Sequence, residues 1–139
     1  VILNGSYFKK IEKNISNENI NIIAMHDSVR PSKRIDEIIK FTEWNNKKNK
    51  LKIYLNIIGY NGKFPSAVSN NIKDLIEKSN FINTYPRFSD YNKDIKHIIS
   101  KSDMGITFSY RDACPNAVIE LMSFGIPFIY YNSGIPWPF

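Results

Sequence analysis

Asp112 and Glu120 are two acids with seven residues between them, set in the stretch SYRDACPNAVIELMSFGIPFI. Pro115 suits the first turn of a helix and Asn116 suits its cap, so backbone N–H groups near Ala117 and Val118 should point out of the helix start. A helix start of this kind is an anion site that fits phosphate. Glu120, one turn further in, is poorly placed for phosphate. It can instead accept two hydrogen bonds from the paired hydroxyls of a ribose, as acids do in dinucleotide folds. The same pair also fits a plainer reading, a surface acid and a helix acid favoured by the dipole, and the flanking residues tip the balance toward function.

Other side chains offer chemistry with less context. Lys33 and Arg30 suit either a bound anion or plain solvation, and the Lys47 to Lys52 cluster reads as a solvated helix end and loop. His26, at a strand end, can meet a ligand or satisfy a loop. Cys114 has only His26 and His97 to assist it as a nucleophile, and His97 adjoins the apolar Ile98, so the cysteine reads as a small filler. Tyr85, Phe88 and Tyr110 suit stacking on a base or sugar, or packing at a rim.

The elements that must position these residues alternate along the chain. Ile20 to Met25 is a nearly continuous apolar run, the mark of a strand buried on both faces of a parallel sheet. From Lys33 to Trp44, Ile35, Ile38 and Ile39 fall at helical spacing, with Asp36 and Glu37 in the opening turn. The cycle repeats as strand 52 to 58 and helix 66 to 78, strand 81 to 85 and helix 93 to 101, and strand 104 to 108 and helix 116 to 123. Gly125 and Pro127 then close the last helix and open a strand over 127 to 131. The fold class is α/β: a Rossmann-like, doubly wound parallel sheet of about five strands flanked by helices. Ligands of such sheets sit at the carboxyl ends of the strands, so loops 26–33, 59–65, 85–91, 108–116 and 131–136 are the ones to inspect.

Composition bounds the partners. At 139 residues, 42% hydrophobic and 14% aromatic, the chain can build one ordinary core. A net charge of +6 suits an anionic partner, whether nucleic acid, a lipid surface or a nucleoside diphosphate, and the lysines are scattered among asparagines rather than gathered. One cysteine points to a reducing compartment, and no apolar run approaches the roughly 20 residues a membrane span needs. A cytosolic protein is expected. The opening VILNGSYF and the ending GIPWPF both read as cuts within a longer chain.

In these residues the sequence resembles the family-4 glycosyltransferases of GT-B fold. Their C-terminal domains carry an acid, seven residues and then Glu inside a stretch much like CPNAVIELMSFGIPFI. VILNG is similar to the family's interdomain entry segment, SKRID to its lysine-bearing helix start, and IIGYNG to its glycine loop. FINTYPRFSD resembles the segment that holds the nucleobase, and NSGIP the glycine-rich turn after the fifth strand. The resemblance implies that residues 1–18 are an interdomain entry segment and linker. Residues 19–139 would form a nucleotide-sugar-binding Rossmann-like domain, truncated at its C-terminus.

Further implications fall on particular positions. Glu120 would hold the ribose hydroxyls, and Asp112 would take the place of the catalytic acid beside the transferred sugar, usually a Glu. Lys33 would clamp the diphosphate. Ser28 stands where the family commonly has an Arg, and Arg30 and Arg34 are the cations available to substitute, Arg30 lying nearer. Pro115, Asn116, Ala117 and Tyr85 would complete the donor site. The activity implied is retaining transfer from a UDP- or GDP-sugar in bacterial polysaccharide or glycolipid synthesis, and the resemblance extends to a peripheral place on the inner face of the membrane. No metal and no cofactor beyond the donor are expected, since the chain has no Asp-x-Asp pair. The acceptor would sit on a missing N-terminal domain, so the isolated chain is expected to turn over no substrate. Two alternatives stand beside this reading: another GT-B enzyme such as a sugar-nucleotide epimerase, and a non-enzymatic module for polyanions or nucleic acid.

Overall fold

A strand covered on both faces must be apolar at successive positions, and Ile22, Ile23, Ala24 and Met25 are all buried. They belong to β1 (Asn19–Met25) in the computed structural model, which describes residues 19–26, 31–60, 70–86, 93–110 and 116–131. The expected entry segment 1–18 lies outside the described residues. After a 3₁₀ turn over Pro31–Lys33 come α1 (Ile35–Lys48), β2 (Lys52–Ile58), α2 (Asn70–Lys78), β3 (Ile82–Tyr85), α3 (Lys93–Lys101), β4 (Met104–Thr107), α4 (Asn116–Ser123) and β5 (Phe128–Tyr130). The strands form one five-stranded sheet in the order β3-β2-β1-β4-β5. Every pairing is parallel. This is the doubly wound, Rossmann-like α/β sheet expected from the alternation of apolar runs.

The winding sorts the core into two layers. Ile22 and Ala24 of β1 face α1 and α2, whose Ile35, Ile38, Ile39 and Ile72 pack with Leu55 and Ile57 of β2. Ile23 and Met25 face the other way, onto Ile95, Ile98 and Ile99 of α3 and Leu121 of α4. Side chains alternate across a strand, so one apolar run supplies both layers. Asn21 and Asp103 join the starts of β1 and β4: the Asn21 N–H donates to Asp103 Oδ2 at 2.8 Å and the Asp103 N–H to the Asn21 carbonyl at 2.7 Å.

Helix α1 departs from the expectation at both ends. Lys33 lies in the preceding 3₁₀ turn, and Arg34, with φ 50°, is left-handed and separates that turn from the helix. At the far end the helix runs beyond Trp44 because Asn46 is recruited by the sheet. Its Nδ2 donates to the Ile53 carbonyl and its Oδ1 accepts from the Ile53 N–H, each at 2.8 Å. Lys47, Lys48 and Lys50 are exposed as expected, whereas Lys52 is not a solvated member of that cluster. Its Nζ donates to the carbonyls of Asn46 at 2.6 Å and Asn49 at 2.9 Å, placing a cation at the negative end of α1.

Helix α4 ends as its sequence requires. Gly125 takes φ 76°, its N–H donates to the Met122 carbonyl at 2.9 Å, and the Ile126 N–H reaches back to the Leu121 carbonyl at 3.2 Å. That pair of bonds is the Schellman closure, and the buried Leu121 and Ile126 supply its hydrophobic contact. Among the described residues no helix is long and apolar enough to cross a membrane.

Candidate functional site

The chain winds outward from β1 to β3 and then returns to lay β4 against the opposite side of β1. Helices α1 and α4, which follow β1 and β4, lie on opposite faces of the sheet, and the divergence leaves a crevice at the carboxyl ends of those strands, the usual ligand position in open α/β sheets. His26 ends β1; it is 7% exposed and its backbone N–H donates to the Ile58 carbonyl at 3.1 Å. On the other wall, Thr107 and Ser109 are buried at the end of β4, with their hydroxyls 2.9 Å apart.

The two walls are joined at the rim. The Tyr110 N–H, after β4, donates to the Ser32 carbonyl in the turn after β1 at 2.8 Å. Lys33, half-buried, is thereby held beside the segment that follows β4. Arg34 follows it: its Nε donates to Glu37 Oε1 at 2.9 Å, and its guanidinium carbon lies 4.5 Å from the centre of the Tyr131 ring. Tyr131 in turn meets Phe108 edge to face at 6.4 Å and donates its N–H to the Thr107 carbonyl at 3.1 Å. Of the two arginines proposed to replace the missing cation at position 28, Arg34 already has an acid and an aromatic face as partners.

Helix α4 rises from the β4 side of the crevice. Val118 and Leu121 form its buried stripe, Asn116 is exposed at its start, and Ala117 packs on the layer that contains Ile23 and Met25. Glu120 stands one turn into the helix, three residues after the small Ala117. It is half-buried, and burial raises the carboxyl above its ordinary pKa. A raised pKa in the folded state means that the protonated form fits the fold better. The contribution is present at acid pH and lost as pH rises through the folded value. Glu120→Gln is therefore expected to stabilise the fold at neutral pH by less than about 1 kcal/mol, given solvent screening, with no gain at acid pH. Thermal melts across that pH range would read the difference, and an equal gain at both ends would remove burial as its cause.

Tyr85 stands apart from this group. It ends β3, two strands from β1, with its ring against the α3 and α4 layer and its hydroxyl 3.5 Å from Asn56 Oδ1. Its carbonyl accepts from the N–H groups of both Gly59 and Tyr60 at 3.0 Å, and Gly59 makes that turn with φ 100°. His97 is exposed on α3. Ser28, Arg30, Phe88, Asp112, Cys114, Pro115 and the 132–136 turn lie outside the described residues. Among the described residues no three or more His, Cys, Asp or Glu gather to hold a metal ion. Sequence reasoning missed Tyr131 and Phe108 as partners at the rim; an aromatic side chain at the end of each of two strands was the available signal.

Solved structures share this fold. The crystal structure of TarM superposes with a TM-score of 0.63 at 18% identity, over 91% of this chain and 24% of that one. The apo form of the lipopolysaccharide outer core galactosyltransferase WaaB gives a TM-score of 0.63 at 14% identity, over 93% of this chain and 35% of that one. The chain thus spans about a quarter of the first and about a third of the second. No curated protein matches significantly by sequence. Residues 6–137 match the profile of the family described as glycosyl transferases group 1, nearly the whole length, and the chain belongs to that family.

Proposed function

We propose that this chain is the donor-binding half of a GT-B glycosyltransferase of family 4, holding a UDP- or GDP-sugar in the crevice between β1 and β4. The observation that carries the reading is the placement of half-buried Glu120 one turn into α4, with the Lys33 turn tied to the β4 loop across the crevice. Glu120 accepts from the ribose hydroxyls. The first N–H groups of α4, around Asn116 and Ala117, and the Lys33 ammonium take the diphosphate. Asp112 serves beside the transferred sugar.

Breaking the bond between sugar and diphosphate builds negative charge on the leaving oxygen. Fixed cations and helix N–H groups stabilise that charge more than they stabilise the ground state. This scheme needs no side-chain nucleophile, and the absence of an Asp-x-Asp pair in the sequence supports a transfer without metal. Retention of configuration, a cytosolic setting and a role in polysaccharide or glycolipid assembly complete the proposal. Transfer itself requires the acceptor-holding domain that these enzymes close onto the donor.

Calorimetry with UDP, GDP, ADP and TDP, against pyrophosphate and a random oligonucleotide, tests the reading. One nucleoside diphosphate is expected to bind best, and Glu120→Ala to weaken it about tenfold or more through loss of hydrogen bonds to a charged acceptor. Equal binding of pyrophosphate and oligonucleotide, untouched by the substitution, would replace it with a general polyanion module.

A further inference from the structure

Helix α1 turns one stripe, Ile35, Ile38, Ile39, Thr42 and Asn46, onto the sheet. Directly opposite that stripe stands Trp44, 58% exposed, with Phe41 stacked beside it at 6.4 Å and itself 37% exposed. Lysines surround the indole at the neighbouring helical positions: Lys40 four residues before, Lys47 three after and Lys48 four after. Lys50 and the exposed Leu51 continue the same mixture past the end of the helix.

The acids of this helix are drawn off elsewhere. Asp36 holds Lys40 at 3.2 Å, Glu37 binds Arg34, and Glu43 accepts from Ser79 of the α2–β3 connection at 2.6 Å. Lys47, Lys48 and Lys50 enter no ion pair with another described residue. Trp44 thus stands exposed beside Lys47 and Lys48, which no acid among the described residues neutralises, and such apolar surface is costly against water.

We propose that this outward face of α1 docks on an anionic lipid surface. Trp and Phe on a helix lying parallel to a bilayer enter the boundary between headgroups and acyl chains, while lysines on either side meet the anionic headgroups. The charge decides for lipid over a neutral apolar partner, since Lys47 and Lys48, beside Trp44 and in no ion pair with a described residue, would be desolvated without compensation against an uncharged protein surface. The position agrees with use in an enzyme. The end of α1 and residues 49–51 lie at the amino ends of the strands, opposite the crevice, which stays open. The inference stands independently of what the crevice binds.

Vesicle flotation tests it, with phosphatidylcholine alone against phosphatidylcholine mixed with phosphatidylglycerol, on a Trp137→Phe background in which Trp44 is the sole indole. The chain is expected to float only with the anionic vesicles, its emission shifting to the blue and being quenched by brominated acyl chains. Trp44→Ser should abolish the tight component. Lys47→Ser with Lys48→Ser should weaken partitioning about thirtyfold, each lysine near an anionic surface being worth about 1 kcal/mol. Far-UV circular dichroism confirms that the variants stay folded. Three results overturn the proposal: no flotation, flotation with unshifted emission, or retention on immobilised polyglutamate without vesicle binding, which assigns the face to an acidic protein.

Discussion

Asn46→Ala is expected to destabilise the fold by about 3 kcal/mol, lowering the midpoint of thermal unfolding by roughly 10 °C for a domain of this size. The side chain is 8% exposed, and its amide serves both backbone groups of Ile53, the donor and the acceptor. Removing it strands a buried N–H and a buried C=O together, and each loses its full desolvation compensation. Asn49→Ala is the matched control. Asn49 is exposed, its side chain binds only Asn45 Oδ1 among the described residues, at 2.7 Å, and its removal should cost under about 0.5 kcal/mol. Denaturant titration of both would decide, and comparable small losses would mean that water reaches Ile53.

Gly105→Val should cost about as much, by overfilling rather than by emptying. Gly105 pairs with Phe128 across β4 and β5. A side chain on Gly105 would overlap the edge of the Phe128 ring at Cδ2 and Cε2 and stand 3.2 Å from Leu121 Cδ1. Leu121 is fully buried and cannot give way, so the half-buried Phe128 ring must be displaced from its packing on the α3 and α4 layer. Shape is the cause, so removing the ring should relieve it. Gly105→Val with Phe128→Ala is expected to lose at least about 1 kcal/mol less than the sum of the two single losses. Strict additivity would place the cost in the strand backbone instead.

Much of the fold was legible because it depends on local pattern. Strand 52–58, helix 93–101 and helix 116–123 have the expected limits, since their apolar spacing, flanking polar residues and the closing Gly125 all act within a few residues of the element. Strand order was not legible: an apolar run marks a strand that is covered, but not which strands flank it. Helix α1 shows the same boundary between local and distant causes. Asn45 and Asn46 are poor helix formers, so the pattern stops at Trp44, and only contacts to Leu51 and Ile53 carry the helix on.

The candidate site divides the same way. Glu120 could be singled out from its spacing and helix start, but not its half-burial, which raises its carboxyl pKa and is set by the folded surroundings. Arg34 could be named as a cation, but not as one resting on Tyr131, which is nearly a hundred residues away. Tyr85 had the right residue type at a strand end, and its position on the far side of β2 followed from strand order alone.

The pairing of β1 with β4 carries a consequence for how the molecule assembles. Asn21 and Asp103 meet across 82 residues of sequence, whereas β1 and β2 meet through the short α1 connection. Loop closure costs more entropy as the loop lengthens, by about 1 kcal/mol between these separations, so pairing of β1 with β4 is opposed more than its pairing with β2. The crevice has only one wall until that closure is made. Anything that binds there is thus linked by mass action to the longest-range contact of the sheet, and stabilises the step of assembly that chain entropy opposes most.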